Sequence, residues 1–139
     1  MSMYLAHFGL VELPFSLTPD TGFVFRATAH QAAMNVLLLA LAGGEGFVKV
    51  TGEVGTGKTT LARYFLSKLG PDTRTAFVLY PALTADELLR TVLDDLHVKP
   101  EGTSKKSLVD ALHRFLLESR ASNRNVVLLI DEAQDLSAE

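Results

Sequence analysis

The chain of 139 residues contains no cysteine. Disulfide frameworks, thiolate zinc sites and thiol nucleophiles are therefore excluded. Long apolar runs are missing as well. The longest strongly apolar stretch, Val36 to Ala42, is too short to cross a bilayer, which takes about 20 residues. The N-terminus, Met1-Ser2-Met3-Tyr4-Leu5-Ala6-His7, has no basic region followed by an apolar stretch and does not read as a signal peptide. Nor is there a surplus of basic charge. With 13 Lys+Arg against 16 Asp+Glu, the net charge is −3. That balance argues against a dedicated nucleic-acid surface. The one adjacent basic pair, Lys105-Lys106, reads as a solvated helix end. His7, His30, His97 and His113 show no metal-ligand spacing and read as ordinary surface or core residues.

What is present is ordinary for a globular chain: 47% hydrophobic and 21% charged residues. The length suits one compact domain that buries about two-thirds of its unfolded surface. Residues 1–27 combine aromatics (Tyr4, Phe8, Phe15, Phe23, Phe25) with Pro14, Pro19 and Gly22, and predict an extended arm packed on the domain. Thr28 to Gln31 reads as a capping box. The helix behind it runs to about Ala42, stops at Gly43-Gly44, and is apolar on nearly every face, which predicts deep burial. Phe47 to Thr51 predicts a first strand, and Lys58 to about Leu69 a helix ended by Gly70-Pro71. Thr75 to Tyr80 predicts a second strand. Thr84 to Glu87 is another capping box, and Ser104 caps a further helix. Val126 to Ile130 predicts a third strand, apolar throughout, as suits a parallel strand covered on both faces. This order predicts an α/β fold, a mainly parallel sheet with helices on both faces.

Two segments carry chemistry. Gly52-Glu53-Val54-Gly55-Thr56-Gly57-Lys58-Thr59 has a glycine, four residues, then Gly-Lys-Thr, between a strand and a helix. Glycines there let backbone N–H groups turn inward around an anion, and the helix adds its positive end. Lys58 is expected to reach β- and γ-phosphates, Thr59 to bind Mg²⁺, and Thr60 to support the α-phosphate. The second segment is Asp131-Glu132, at the carboxyl end of the third strand, where open α/β sheets place ligands. Asp131 is expected to hold Mg²⁺ through water, and Glu132 to orient and polarise the attacking water. Either segment alone has a bland reading, a Gly-rich turn or a solvated strand end. Together they supply the parts of a nucleoside triphosphate site. The loop itself does not recognise adenine, and an N-terminal aromatic clamp is a minority reading for that role. Gln134 reads equally as a surface residue or as a γ-phosphate or partner contact.

The carboxylate pair on a strand separate from the loop's own strand resembles the AAA branch (ASCE type) of P-loop ATPases. A closer resemblance lies in Tyr4-Leu5-Ala6-His7-Phe8-Gly9-Leu10 and Pro14-Phe15-Ser16-Leu17-Thr18-Pro19-Asp20. With Gly46 to Thr59 and Asp131-Glu132-Ala133-Gln134, these resemble the ExeA-type ATPases of the general secretion pathway. Within them the chain looks most like the ATPase of mannose-sensitive haemagglutinin (type IV) pilus biogenesis. The resemblance implies a three-layer α/β/α P-loop domain over 28–139, and ATP and Mg²⁺ as cofactors. It also implies ATP hydrolysis at the cytoplasmic face of a bacterial inner membrane, and pilus or secretion assembly proteins as partners. Such proteins go on to a further strand, a sensor residue, an arginine finger and a lid. By that comparison the chain reads as a fragment ending before its fourth strand, whose open sheet edge favours self-association. A small polar residue is expected at the end of the second strand, where this chain has Tyr80-Pro81.

Two other readings stand beside this one. A DNA-associated ATPase of the transposition-helper or replication-initiator type shares both motifs, against the acidic balance. A nucleotide-gated interaction module with little turnover fits a chain lacking an arginine finger, a group worth about 10³–10⁵ in rate.

Overall fold

The computed structural model describes residues 28–136, together with His7, Gly9 and Val11. The expected arm over 1–27, with its aromatics and prolines, otherwise lies outside the described residues. The chain divides into two compact units, Met1–Phe65 and Leu66–Glu139.

In the first unit, α1 spans Thr28–Gly43 and α2 begins at Lys58, ending at Ser67 in the second unit. The stop of α1 follows from its glycines. Gly44 takes a left-handed φ of 73°, and Gly44 N–H donates to Leu41 O at 3.3 Å while Glu45 N–H donates to Ala40 O at 2.9 Å. This pair of bonds is the Schellman closure. Two expectations are corrected here. Thr28 is already helical, so it opens the first turn and does not cap it. The helix is not deeply buried either: only Met34 is, and Leu39 is 71% exposed. The described part of this unit holds helices and no strand, so the apolar faces of α1 have no sheet of their own to cover them.

Phe47 to Thr51 does not form a strand. Its β-branched pattern is right, but a strand exists only as a ladder with a neighbour. No described segment pairs with it, and Phe47 is 85% exposed.

The second unit is built on β1 (Thr73–Val78) and β2 (Asn125–Ile130), parallel and in register from Thr73 opposite Asn125 to Val78 opposite Ile130. Between them come α3 (Ala85–Asp95) and α4 (Lys105–Ala121). Helix α3 packs on β1 and on α4, and α4 packs on β2. The core gathers Ala76 and Val78 of β1 with Val92 and Leu96, and Leu93 of α3 with Leu108 and Ala111 of α4. Val126 and Ile130 of β2 close it from the other strand. The expectation that the third strand is covered on both faces is too strong. Leu128, on the same side of β2 as Val126 and Ile130, stays 48% exposed.

Local chemistry fixes both helices. Thr84 Oγ1 accepts from Glu87 N–H at 3.3 Å, and Glu87 Oε2 accepts from Thr84 N–H at 2.9 Å, a complete capping box. Ser104 Oγ accepts from Ser107 N–H at 3.2 Å. Past the Leu96 cap of α3, His97 is left-handed with φ 59°, and Val98 N–H donates to Leu93 O at 2.8 Å. That turn drops Val98 into the core. Asp95 Oδ2 accepts from Phe77 N–H at 2.8 Å, tying the end of α3 to the backbone of β1.

Two outcomes follow from this packing. Leu108, with no exposed surface, fills the α3–α4 interface. Leu108→Ala is expected to cost about 2–5 kcal/mol in urea unfolding. The Glu87 carboxyl is held below its ordinary value of 4.5 by the hydrogen bonds from Thr84, the backbone N–H first and the hydroxyl second. A lowered folded value stabilises above the unfolded value, and that stabilisation is lost as pH falls through the folded one. The stability gap between wild type and Glu87→Gln is therefore expected to be full at neutral pH and to shrink below about pH 4.5, read by urea titrations across pH.

Candidate functional site

The loop before α2 is shaped by glycine. Gly55 and Gly57 have φ of 80° and 81°, a region open to glycine at no steric cost. A Cβ on Gly52 would stand 3.0 Å from Thr56 Oγ1. The loop is closed by one carbonyl oxygen. Glu53 O accepts from Thr56 Oγ1 at 2.8 Å, from Thr56 N–H at 3.4 Å and from Lys58 Nζ at 2.8 Å. Lys58 Nζ also donates to Gly52 O at 2.9 Å. The ammonium thus folds back over its own loop, held by two neutral carbonyls. Helix α2 starts at Lys58, its first cross-turn bond running from Leu61 N–H to Gly57 O at 2.9 Å. The first turn of any helix has N–H groups without acceptors inside the helix.

A further side chain reaches this loop. His30, in the first turn of α1, has Nε2 at 2.6 Å from Thr56 O. The same nitrogen lies 3.2 Å from where a Cβ on Gly57 would stand. A carbonyl only accepts, so Nε2 carries the proton. Nδ1 is then an acceptor, and it is buried without a hydrogen-bond partner among the described residues. The reading of His30 as an ordinary surface or core histidine missed this contact.

The second unit places the carboxylates. Asp131 N–H donates to Val78 O at 2.8 Å, one step beyond the end of β2. The β1–β2 ladder therefore fixes the Asp131 backbone at the carboxyl end of the pair. Glu132 follows in the left-handed region, with φ 50° and ψ 40°, which costs a non-glycine residue roughly 1–2 kcal/mol. Its N–H donates to Asp131 Oδ1 at 3.0 Å, and its Oε2 accepts from Gln134 Nε2 at 2.5 Å. Gln134 is thus the group that holds the Glu132 carboxylate. At the end of β1, Tyr80 is 78% exposed and Pro81 is fully buried, so neither supplies the small polar restraint expected there.

The structure brings Gly52–Thr60 together with His30 in the first unit, and Asp131 with Glu132 and Gln134 in the second. The loop's donor set fits a phosphate group: a flexible ammonium, left-handed glycines and a helix start. Thr59, in the first unit, offers a hydroxyl and Asp131, in the second, a carboxylate, each a hard oxygen of the kind Mg²⁺ takes. Among the described residues, no cluster of three or more His, Asp or Glu side chains forms a metal cage. Magnesium characteristically takes only one or two carboxylates besides phosphate and water.

Comparison with known proteins agrees with this chemistry. The AAA domain family matches residues 41–139. The chain is 39% identical over 135 residues to General secretion pathway protein A of Aeromonas hydrophila, covering 96% of this chain and 25% of that protein. It therefore spans a quarter of the length of that curated relative. No solved structure matches the chain.

The two left-handed glycines of the loop are separable by experiment. A Cβ on Gly55 meets nothing within 4 Å, whereas one on Gly57 meets His30. Both substitutions carry a backbone penalty of about 1 kcal/mol. Gly57→Ala is expected to lower the unfolding midpoint further than Gly55→Ala, since it also pushes on His30. Equal midpoints would count against the His30–Gly57 contact.

Proposed function

This chain belongs to the AAA-domain family, and we propose that it binds Mg²⁺–ATP and hydrolyses it to drive assembly work in a secretion system. One observation carries the nucleotide part. Lys58 Nζ lies over the loop on the Gly52 and Glu53 carbonyls, in a turn that Gly55 and Gly57 keep open. An anionic oxygen attracts the ammonium through its full charge as well as through the hydrogen bond, whereas a carbonyl offers only its dipole. A triphosphate entering the loop therefore draws Lys58 away from those carbonyls.

In this reading Gly52, Glu53, Val54, Gly55, Thr56 and Gly57 wrap the phosphates with backbone N–H groups. Lys58 neutralises the β- and γ-phosphates, and Thr60 supports the α-phosphate. Thr59 and Asp131 hold Mg²⁺, which supplies charge neutralisation on the phosphate oxygens. Glu132 orients the attacking water and takes up its proton. Residues 28–139 are the N-terminal part of the ATPase domain.

The secretion part rests on the likeness to General secretion pathway protein A. We extend it to secretion or type IV pilus assembly proteins as partners, at the cytoplasmic face of the inner membrane, and to self-association. No helix among the described residues is long and apolar enough to cross a membrane. One observation favours a second reading, a nucleotide-gated interaction module with little turnover. Gln134 already occupies an oxygen of the Glu132 carboxylate, and a carboxylate so engaged is a weaker base for water.

Calorimetry with Mg²⁺–ATP and an assay of phosphate release separate the readings. Lys58→Ala is expected to lose nucleotide affinity, and unchanged affinity would sink the phosphate role of the loop. Glu132→Gln is expected to bind normally and to cut turnover by about 10²–10⁴. Wild-type binding without turnover would favour the gated module.

A further inference from the structure

We propose that His30 is a positioning residue for the phosphate-binding loop, locking the Thr56–Gly57 peptide so that its N–H, and not its carbonyl, faces the anion. The inference rests on the nucleotide reading of Gly52–Thr60. It starts from the 2.6 Å hydrogen bond from His30 Nε2–H to Thr56 O. A trans peptide is planar, so its C=O and the next N–H point in opposite directions. The described chain has no cis bond. Anchoring Thr56 O on α1 therefore aims Gly57 N–H away from α1.

This peptide needs an anchor. Gly57 is left-handed at φ 81° and carries no Cβ to resist rotation. A flip would turn the Thr56 carbonyl inward, where its negative end repels phosphate. The rest of Thr56 is already held, by its hydroxyl and N–H on Glu53 O. For the peptide that follows, the bond among the described residues comes from His30, 26 residues away in sequence. His30 also stands against Gly57 itself, 3.2 Å from its absent Cβ, so the ring blocks the space through which the peptide would turn.

The test compares His30→Gln with His30→Leu in the intact protein, using Mg²⁺–ATP as the probe in calorimetry and thermal unfolding as a control. Gln places a donor nitrogen as many bonds from Cβ as the imidazole Nε2; Leu fills space without a donor. His30→Leu is expected to bind Mg²⁺–ATP about tenfold more weakly while its unfolding midpoint stays with that of His30→Gln, which binds within about threefold of wild type. Equal weakening in both variants would reduce His30 to packing and overturn the proposal. Wild-type affinity in His30→Leu would overturn it as well, and would leave the nucleotide reading standing. A wild type that binds no Mg²⁺–ATP would overturn that reading and this one with it. Should His30→Leu not fold, the imidazole ¹⁵N spectrum of the wild type decides. An Nε2–H tautomer whose signals move on adding Mg²⁺–ATP supports the proposal. An Nδ1–H tautomer, or signals blind to nucleotide, overturns it.

Discussion

The second unit depends on one constraint, the parallel pairing of β1 with β2. Parallel neighbours cannot be joined by a tight turn and need a long crossover. Here that crossover is α3 and α4, and their apolar faces supply the core. The register sets more than packing. With Val78 opposite Ile130, the next ladder bond falls from Asp131 N–H to Val78 O. The position of the first carboxylate is thus a consequence of strand pairing. Its neighbour Glu132 leaves the ladder in a left-handed turn, stabilised by a bond to Asp131 on one side and to Gln134 on the other.

The loop of the first unit is organised differently. No sheet bond holds it among the described residues. Its shape comes from glycine conformations, from the Glu53 carbonyl that collects three donors, and from His30 on a helix outside the motif. The motif residues alone therefore do not complete the loop's own restraints.

Much of this was legible in the sequence, for identifiable reasons. The capping pairs Thr84–Glu87 and Ser104–Ser107 are short-range chemistry with a fixed spacing, and both form. Leu88, Leu89, Val92 and Leu93 of α3 and Leu108, Leu112 and Phe115 of α4, at helical spacing, point to the core, while Leu116 stays 41% exposed. The family assignment was readable from the loop, the carboxylate pair and the arm, and the AAA match bears it out. Apart from Thr28, which opens its helix where a cap was expected, the failures share a cause: they concern what lies opposite a segment. Phe47 to Thr51 has strand composition and no partner, α1 has core composition and little cover, and Leu128 has a buried strand's pattern and 48% exposure. Composition reports what a segment would bury, and pairing decides whether it does. The His30 contact was invisible for the related reason that nothing in local spacing links α1 to Thr56.

The folded-back lysine has a consequence for discrimination. Lys58 Nζ donates to the carbonyls of both Gly52 and Glu53, so the loop's own groups hold its shape. A guest must out-compete both carbonyls at once. Small singly charged ions such as chloride offer one contact and gain little by entering. A polyphosphate tail offers several oxygens along one chain and replaces both bonds together. In the nucleotide reading proposed above, the internal clasp acts as a threshold, setting how much negative charge a visitor must bring before the loop responds to it.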